Sequence, residues 1–158
     1  ALVFALNGKF VAIPAADVDP TMVLQTYLRD VAGLTGTKYG CGEGGCGACA
    51  VVLSRWDSEN KKEIVRSVNS CLRPLASCHG WAITTIEGLR MAKTDSKDEA
   101  NIKEKEDSGN FHPIQSRIAQ FNGLQCGYCT PGMVMTMYQA LKKNPKATME
   151  EMESQFDG

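Results

Sequence analysis

No stretch of this chain is apolar for the ~18 residues that crossing a bilayer takes. Its N-terminus also lacks the charged-then-apolar pattern of a secretory leader. Charge of one sign is missing too: 17 Lys and Arg stand against 18 Asp and Glu, a formal net charge of -1. Binding nucleic acid takes a surplus of Lys and Arg to neutralise phosphates, and no basic patch stands out, so nucleic acid is excluded as a main partner. A secreted disulfide framework is a poor account as well, because the seven cysteines are odd in number and lie in tight clusters. Together these absences predict a cytoplasmic protein whose thiols stay reduced and available to metal. With 43% hydrophobic and 22% charged residues, the 158-residue chain has the composition of a soluble globular protein, one ordinary domain or two small ones. It begins at Ala1 without Met, as expected of a processed, cloned or truncated chain.

What the sequence does have is a thiol-bearing glycine loop. Tyr39 to Ala50 reads Tyr-Gly-Cys-Gly-Glu-Gly-Gly-Cys-Gly-Ala-Cys-Ala, with Cys41, Cys46 and Cys49 spaced Cys-x4-Cys-x2-Cys and Cys71 following after a hairpin-like segment. That is the plant-type spacing for a 2Fe-2S cluster. Four thiolates and two sulfides leave the cluster anionic, so a loop wrapped round it must turn sharply and aim N–H groups inward. Glycine permits both, and Gly40, Gly42, Gly44, Gly45 and Gly47 occupy five of the eight positions from 40 to 47. Zinc or disulfides are the alternatives for such thiols. Three thiols crowded into one loop with a fourth apart suit them less well than paired short knuckles would.

Around this loop the pattern predicts a small mixed sheet crossed by one helix. Leu2 to Leu6 and Lys9 to Pro14 flank Asn7-Gly8, a strong hairpin signal. Asp19 and Pro20 are the expected N-cap and first residue of a helix whose buried stripe is Leu24, Tyr27, Leu28 and Val31, closed by Gly33 and Gly36. Ala50 to Leu53 and Ile64 to Val68 are expected strands joined by polar Asp57 to Lys62, and Ala82 to Ile86 a last short strand. The fold class is α+β, with a β-grasp plant-type ferredoxin domain over residues 1–89.

Residues 90–111 are rich in Lys, Asp, Glu, Ser and Thr and are expected to form an exposed polar linker. Residues 112–158 are expected to be all helical. Ile114, Ile118 and Phe121 share a helix face stopped by Gly123; Thr130 and Pro131 start a helix running to Lys143; Thr148 and Glu151 form a capping box for another toward Phe156. Cys126 and Cys129 form a Cys-x2-Cys pair at the mouth of the second of these helices, where backbone N–H groups favour thiolate. By itself the pair fits a redox dithiol, half a zinc site or half a cluster site. Cys78 and His79 could add to a zinc site, but packing is the simpler role for Cys78.

The loop Gly-Cys-Gly-Glu-Gly-Gly-Cys-Gly-Ala-Cys, the later Asn-Ser-Cys-Leu, and Gln-Cys-Gly-Tyr-Cys-Thr-Pro-Gly-Met from Gln125 together resemble the N-terminal iron-sulfur region of xanthine dehydrogenase and aldehyde oxidase, the molybdenum hydroxylases. The resemblance covers nearly all the chain except the linker. It implies a ferredoxin domain followed by an all-α helical-bundle domain, each with one 2Fe-2S cluster. Cys41, Cys46, Cys49 and Cys71 would ligate the first, Cys126 and Cys129 the second. The second cluster's other ligands come, in the family, from a Cys-x-Cys one helix further on. Here the sequence stops at Gly158, so the second site is expected to be incomplete in this chain. The resemblance further places Gln125 against molybdopterin and Glu43, Gly44 and Gly45 near the flavin edge.

The function so implied is an electron-transfer module that relays single electrons from a molybdopterin site through two 2Fe-2S clusters to FAD. Its partners would be the FAD and molybdopterin domains of the same enzyme, a homodimer when whole. The alternatives are a separate small iron-sulfur subunit of a multi-chain hydroxylase, or a free-standing ferredoxin. The ferredoxin leaves the helical half unexplained, and the net charge does not suggest its acidic docking face.

Overall fold

The computed structural model describes residues 1–89 and 111–156. The expected linker, apart from Phe111, lies outside the described residues.

β1 (Leu2–Leu6) and β2 (Lys9–Ile13) form the expected hairpin, paired from Leu2↔Ile13 to Leu6↔Lys9. Asn7 and Gly8 turn it with φ of 49° and 78°, values that Asn tolerates and Gly adopts freely. β3 (Ala50–Asp57), β4 (Lys62–Asn69) and β5 (Ala82–Thr84) complete a five-stranded sheet of order β2-β1-β5-β3-β4. The central β1–β5 pairing is parallel and the rest antiparallel. β3 and β4 run longer than the apolar pattern suggested, because the ladder continues through the polar residues Ser54 to Asp57 and Lys62 to Glu63. β5 is shorter: Thr84 ends it, and Ile86–Leu89 coil into a 3-10 turn.

The helix crossing the sheet departs from expectation at both ends. Asp19 caps a turn, its Oδ1 accepting from Thr21 N at 2.8 Å and Thr21 Oγ1 at 2.6 Å. α1 starts only at Leu24 (Leu24–Thr26) and widens at once into a π turn over Tyr27–Val31. Its leading N–H groups need no side-chain cap, since Leu24 N donates to Arg73 O and Gln25 N to Ser70 O. Leu24, Tyr27 and Leu28 are buried as expected. Val31 is not: it is 61% exposed, because the wider π turn rotates it off the buried face.

Period-two alternation splits the sheet between two cores. Val51 and Leu53 join Phe4, Leu24, Leu28, Leu75 and Ile83 on the α1 face. Ala50 and Val52 point the other way, onto Leu89, Val134 and Met135. Coverage of both faces explains why β3 begins with four consecutive buried residues.

The second cover comes from the helical half, α2 (Pro113–Gln120), α3 (Thr130–Lys143) and α4 (Met149–Glu153). α3 lies on β3 and β4 and is pinned near its end by Lys142 Nζ to Glu63 Oε1 at 2.7 Å. The helices thus bury their apolar faces partly against the sheet, in a mixed α+β architecture. Phe121, expected on the buried stripe, is 77% exposed because α2 ends at Gln120 and Asn122 turns left-handed with φ 54°. Thr148 and Glu151 form the expected capping box; Thr130 does not cap α3, whose N-cap residue is Cys129. Among the described residues no helix is long and apolar enough to cross a membrane.

Candidate metal centre

The loop from Gly40 to Cys49, and the segment from Thr35 that leads into it, are held to the body of the fold by hydrogen bonds from side chains outside them. Gln25, 2% exposed, donates from Nε2 to Lys38 O at 2.7 Å, and Arg29 Nη1 holds Thr35 O and Thr37 O. Asn69 Nδ2 donates to Gly44 O at 2.7 Å, while its Oδ1 accepts weakly from Cys49 Sγ at 3.9 Å. Ser70 Oγ, fully buried, donates to Cys49 O at 2.7 Å. In the sequence Asn69 and Ser70 stand out only as polar residues at a strand end directly before Cys71.

So anchored, the loop folds its amides onto Cys41. Sγ of Cys41 accepts from Glu43 N at 3.4 Å, Gly45 N at 3.3 Å and Cys46 N at 3.4 Å. The amide of Glu43, then that of Cys46, chiefly draws this thiol down to about 7. Cys71 behaves oppositely: burial first, and then the neighbouring Cys49 thiol, push it up to about 11. A thiol so placed loses its proton to a metal more readily than to water.

The glycines are steric as well as conformational. A Cβ on Gly40 would stand 2.6 Å from Cys46 Sγ, and one on Gly44, at φ 79°, would stand 2.5 Å from Leu72 Cδ1. Cys41 and Cys46 of the loop are exposed, while Cys49 of the loop and Cys71 beyond β4 are buried. Among the described residues no three His, Cys, Asp or Glu side chains gather round a single point. A binuclear cluster does not demand that, because its four thiolates divide two to each iron. The donor set, the inward amides and the missing Cβ atoms fit a 2Fe-2S cluster.

Cys78 stands apart. It is fully buried in the α1-side core, its Sγ facing Pro74 O at 3.8 Å, and burial pushes its thiol up. His79 Nδ1 accepts from Val3 N at 3.2 Å. Both are occupied by packing and backbone, as the simpler reading held.

Cys126 and Cys129 are exposed at the start of α3. The fold brings Cys129 beside the first loop: a cavity of about 650 Å³ is lined by Gly45, Cys46 and Gly47 on one side and by Cys129, Gly132 and Thr136 on the other. Tyr128, between the two cysteines, donates its hydroxyl to Tyr39 O. Gln125 and Glu43 are both exposed.

Comparison with known proteins agrees with this arrangement. Residues 4–76 match the family described as 2Fe-2S iron-sulfur cluster binding domain, and residues 85–158 the [2Fe-2S] binding domain family. Over 157 residues, 99% of this chain, it is 46% identical to xanthine dehydrogenase/oxidase of Gallus gallus and 44% identical to aldehyde oxidase 1 of Oryctolagus cuniculus. The chain spans 10% of the length of these relatives. Among solved structures, aldehyde oxidoreductase from Desulfovibrio gigas superposes with a TM-score of 0.76 at 29% identity, covering 98% of this chain and 14% of that one. Quinoline 2-oxidoreductase from Pseudomonas putida 86 gives 0.70 at 28% identity, covering 98% of this chain and 77% of that one. With one 2Fe-2S-binding domain in each half, the chain belongs to the iron-sulfur region shared by xanthine dehydrogenase/oxidase and aldehyde oxidase.

Proposed function

We propose that this chain is the electron-transfer module of a molybdenum hydroxylase, relaying single electrons from a molybdopterin site through two 2Fe-2S clusters to FAD. The observation that carries the reading is the juxtaposition of two thiol motifs across one cavity, Cys46 on one wall and Cys129 on the other. A bound 2Fe-2S cluster supplies one-electron chemistry; the protein's part is to hold it, tune it and fix its neighbours. Cys41, Cys46, Cys49 and Cys71 hold the first. The amides of Glu43, Gly45 and Cys46 offset its negative charge at Cys41. Cys126 and Cys129 hold half of the second.

On this reading residues 1–89 are the ferredoxin-like domain, 90–111 the linker, and 112–158 the all-α helical-bundle domain, here packed over the sheet. Exposed Gln125 faces the molybdopterin side, and Glu43, Gly44 and Gly45 face the flavin. The FAD and molybdopterin domains are then the partners, within a cytoplasmic homodimeric enzyme acting on purines or aldehydes. A separate small subunit is the second reading, favoured by the 77% coverage of the quinoline 2-oxidoreductase chain.

Anaerobic reconstitution with iron and sulfide tests the assignment. Two clusters need four thiolates each, and only six of the chain's cysteines belong to the two motifs. The expected result is one stable cluster per chain, with a plant-type electron paramagnetic resonance signal after reduction. No such signal, or four irons bound per chain, contradicts the ligand assignment.

A further inference from the structure

We infer that Tyr128 and Gly132 are positioning residues, which set the distance between the Cys126/Cys129 centre and the centre held by Cys41, Cys46, Cys49 and Cys71. The inference rests on the proposed relay and adds what fixes its spacing.

Gly132 lies in the first turn of α3 and is buried. No positive φ is found there, so backbone conformation does not call for glycine, which is among the poorer residues within a helix. Space does call for it. A Cβ at 132 would collide with the carbonyl oxygen of Gly47, with Gly47 C at 3.0 Å and Ala48 Cα at 3.1 Å close behind. These are backbone atoms and cannot swing aside as a side chain does. They also sit between two ligands of the first site, Cys46 and Cys49, while Gly132 follows Cys129 by one turn.

Tyr128 makes the second contact from the other flank. It stands between Cys126 and Cys129, and its hydroxyl donates to Tyr39 O, two residues before Cys41. Tyr128 is 48% exposed, so burial does not account for its position. The mouth of α3 is thus clamped to the first loop at two backbone points, each beside ligands of both motifs. Other ties of α3, Val134 and Met135 in the core, Gln139 Nε2 on Val65 O and Lys142 on Glu63, act further along the helix.

Electron tunnelling falls exponentially with separation, so this clamp governs the step between the centres. With clusters bound, Cys126 and Cys129 would help hold the donor and Cys41, Cys46, Cys49 and Cys71 the acceptor of a one-electron step in which no bond forms or breaks and no proton moves.

The test reads the spacing without relying on activity or on the second cluster. In a Cys129→Ser background the exposed Cys126 carries a nitroxide, and the reduced, paramagnetic first cluster shortens its relaxation according to distance. The oxidised, diamagnetic cluster is the control. Gly132→Ala is expected to lose much of this enhancement and Tyr128→Phe a smaller part, while the visible spectrum of the first cluster stays unchanged in both. If Gly132→Ala detaches α3 altogether, as far-ultraviolet circular dichroism reveals, Tyr128→Phe carries the test alone. Unchanged enhancement in the folded variants overturns the inference. A parent chain that forms no first cluster is a different and separately visible result, which removes the relay and this inference with it.

Discussion

Asn7 and Thr85 hold each other by two hydrogen bonds, Asn7 Nδ2 to Thr85 Oγ1 and Thr85 N to Asn7 Oδ1, both at 2.9 Å. The pair ties the first hairpin turn to the strand end 78 residues later, and Thr85 passes the connection on to Glu87, whose Oε1 accepts from Gly36 N at 2.7 Å. Asn7 does this from a left-handed conformation, φ 49°. Asn7→Ala leaves a fully buried Thr85 with its amide unpaired and puts alanine where it is strained. A loss of roughly 2–4 kcal/mol is expected, read as a lower urea midpoint with an unchanged slope.

Cys46→Ala and Cys78→Ala are expected to separate ligand from core. Cys46 is exposed and in the loop; its loss leaves three thiolates and removes the visible and paramagnetic signals of the first cluster along with the stability that metal lends the loop. Cys78, fully buried beside Leu75 and Trp81, leaves a small cavity worth about 1–2 kcal/mol and an intact cluster spectrum. Bleaching in the Cys78 variant would contradict the assignment of ligands.

His112 makes α2 sensitive to acid. Its Nδ1 accepts from Ile114 N at 3.3 Å, its backbone N–H donates to Gln115 Oε1 at 2.9 Å, and burial holds the imidazole below its ordinary range. Neutral imidazole is the form the fold favours, so the stabilisation is complete above ~6.5 and is lost as pH falls below that toward the lowered folded value. Protonation also places positive charge at a helix N-terminus. Protection of the α2 amides against hydrogen exchange is expected to fall over that window in the parent protein, and to stay level in His112→Asn, which caps without titrating.

The Glu63–Lys142 pair ties α3 to β4 across the surface. A double-mutant cycle is expected to give a coupling of about 0.2–1 kcal/mol that shrinks with added salt. The hydrogen bond from Lys142 holds the Glu63 carboxyl below its usual range. The contribution is therefore present above the ordinary carboxylate value, ~4.3, and lost as pH falls through the lower folded one. No coupling at low salt would show that the pair contributes nothing to holding α3 on β4.

The cluster loop was legible in the chain because its chemistry is local: the spacing of Cys41, Cys46 and Cys49, and glycine at 40 where a Cβ would strike Cys46 Sγ, are properties of a dozen neighbouring residues, whereas the closeness of Gly44 to Leu72 is not. The hairpin at Asn7-Gly8 and the Thr148 capping box were legible for the same reason, each being settled by φ or by a hydrogen bond reaching three residues. Tertiary structure decided what depends on distant partners. α1 begins at Leu24 and not near Asp19, because the backbone at Ser70 and Arg73 supplies the acceptors its first amides need. Val31 left the core once a π turn altered the period on which its burial was read. The approach of Gly132 to Gly47 is invisible in sequence, since it joins residues whose neighbourhood exists only after α3 has covered the Ala50 and Val52 face of the sheet.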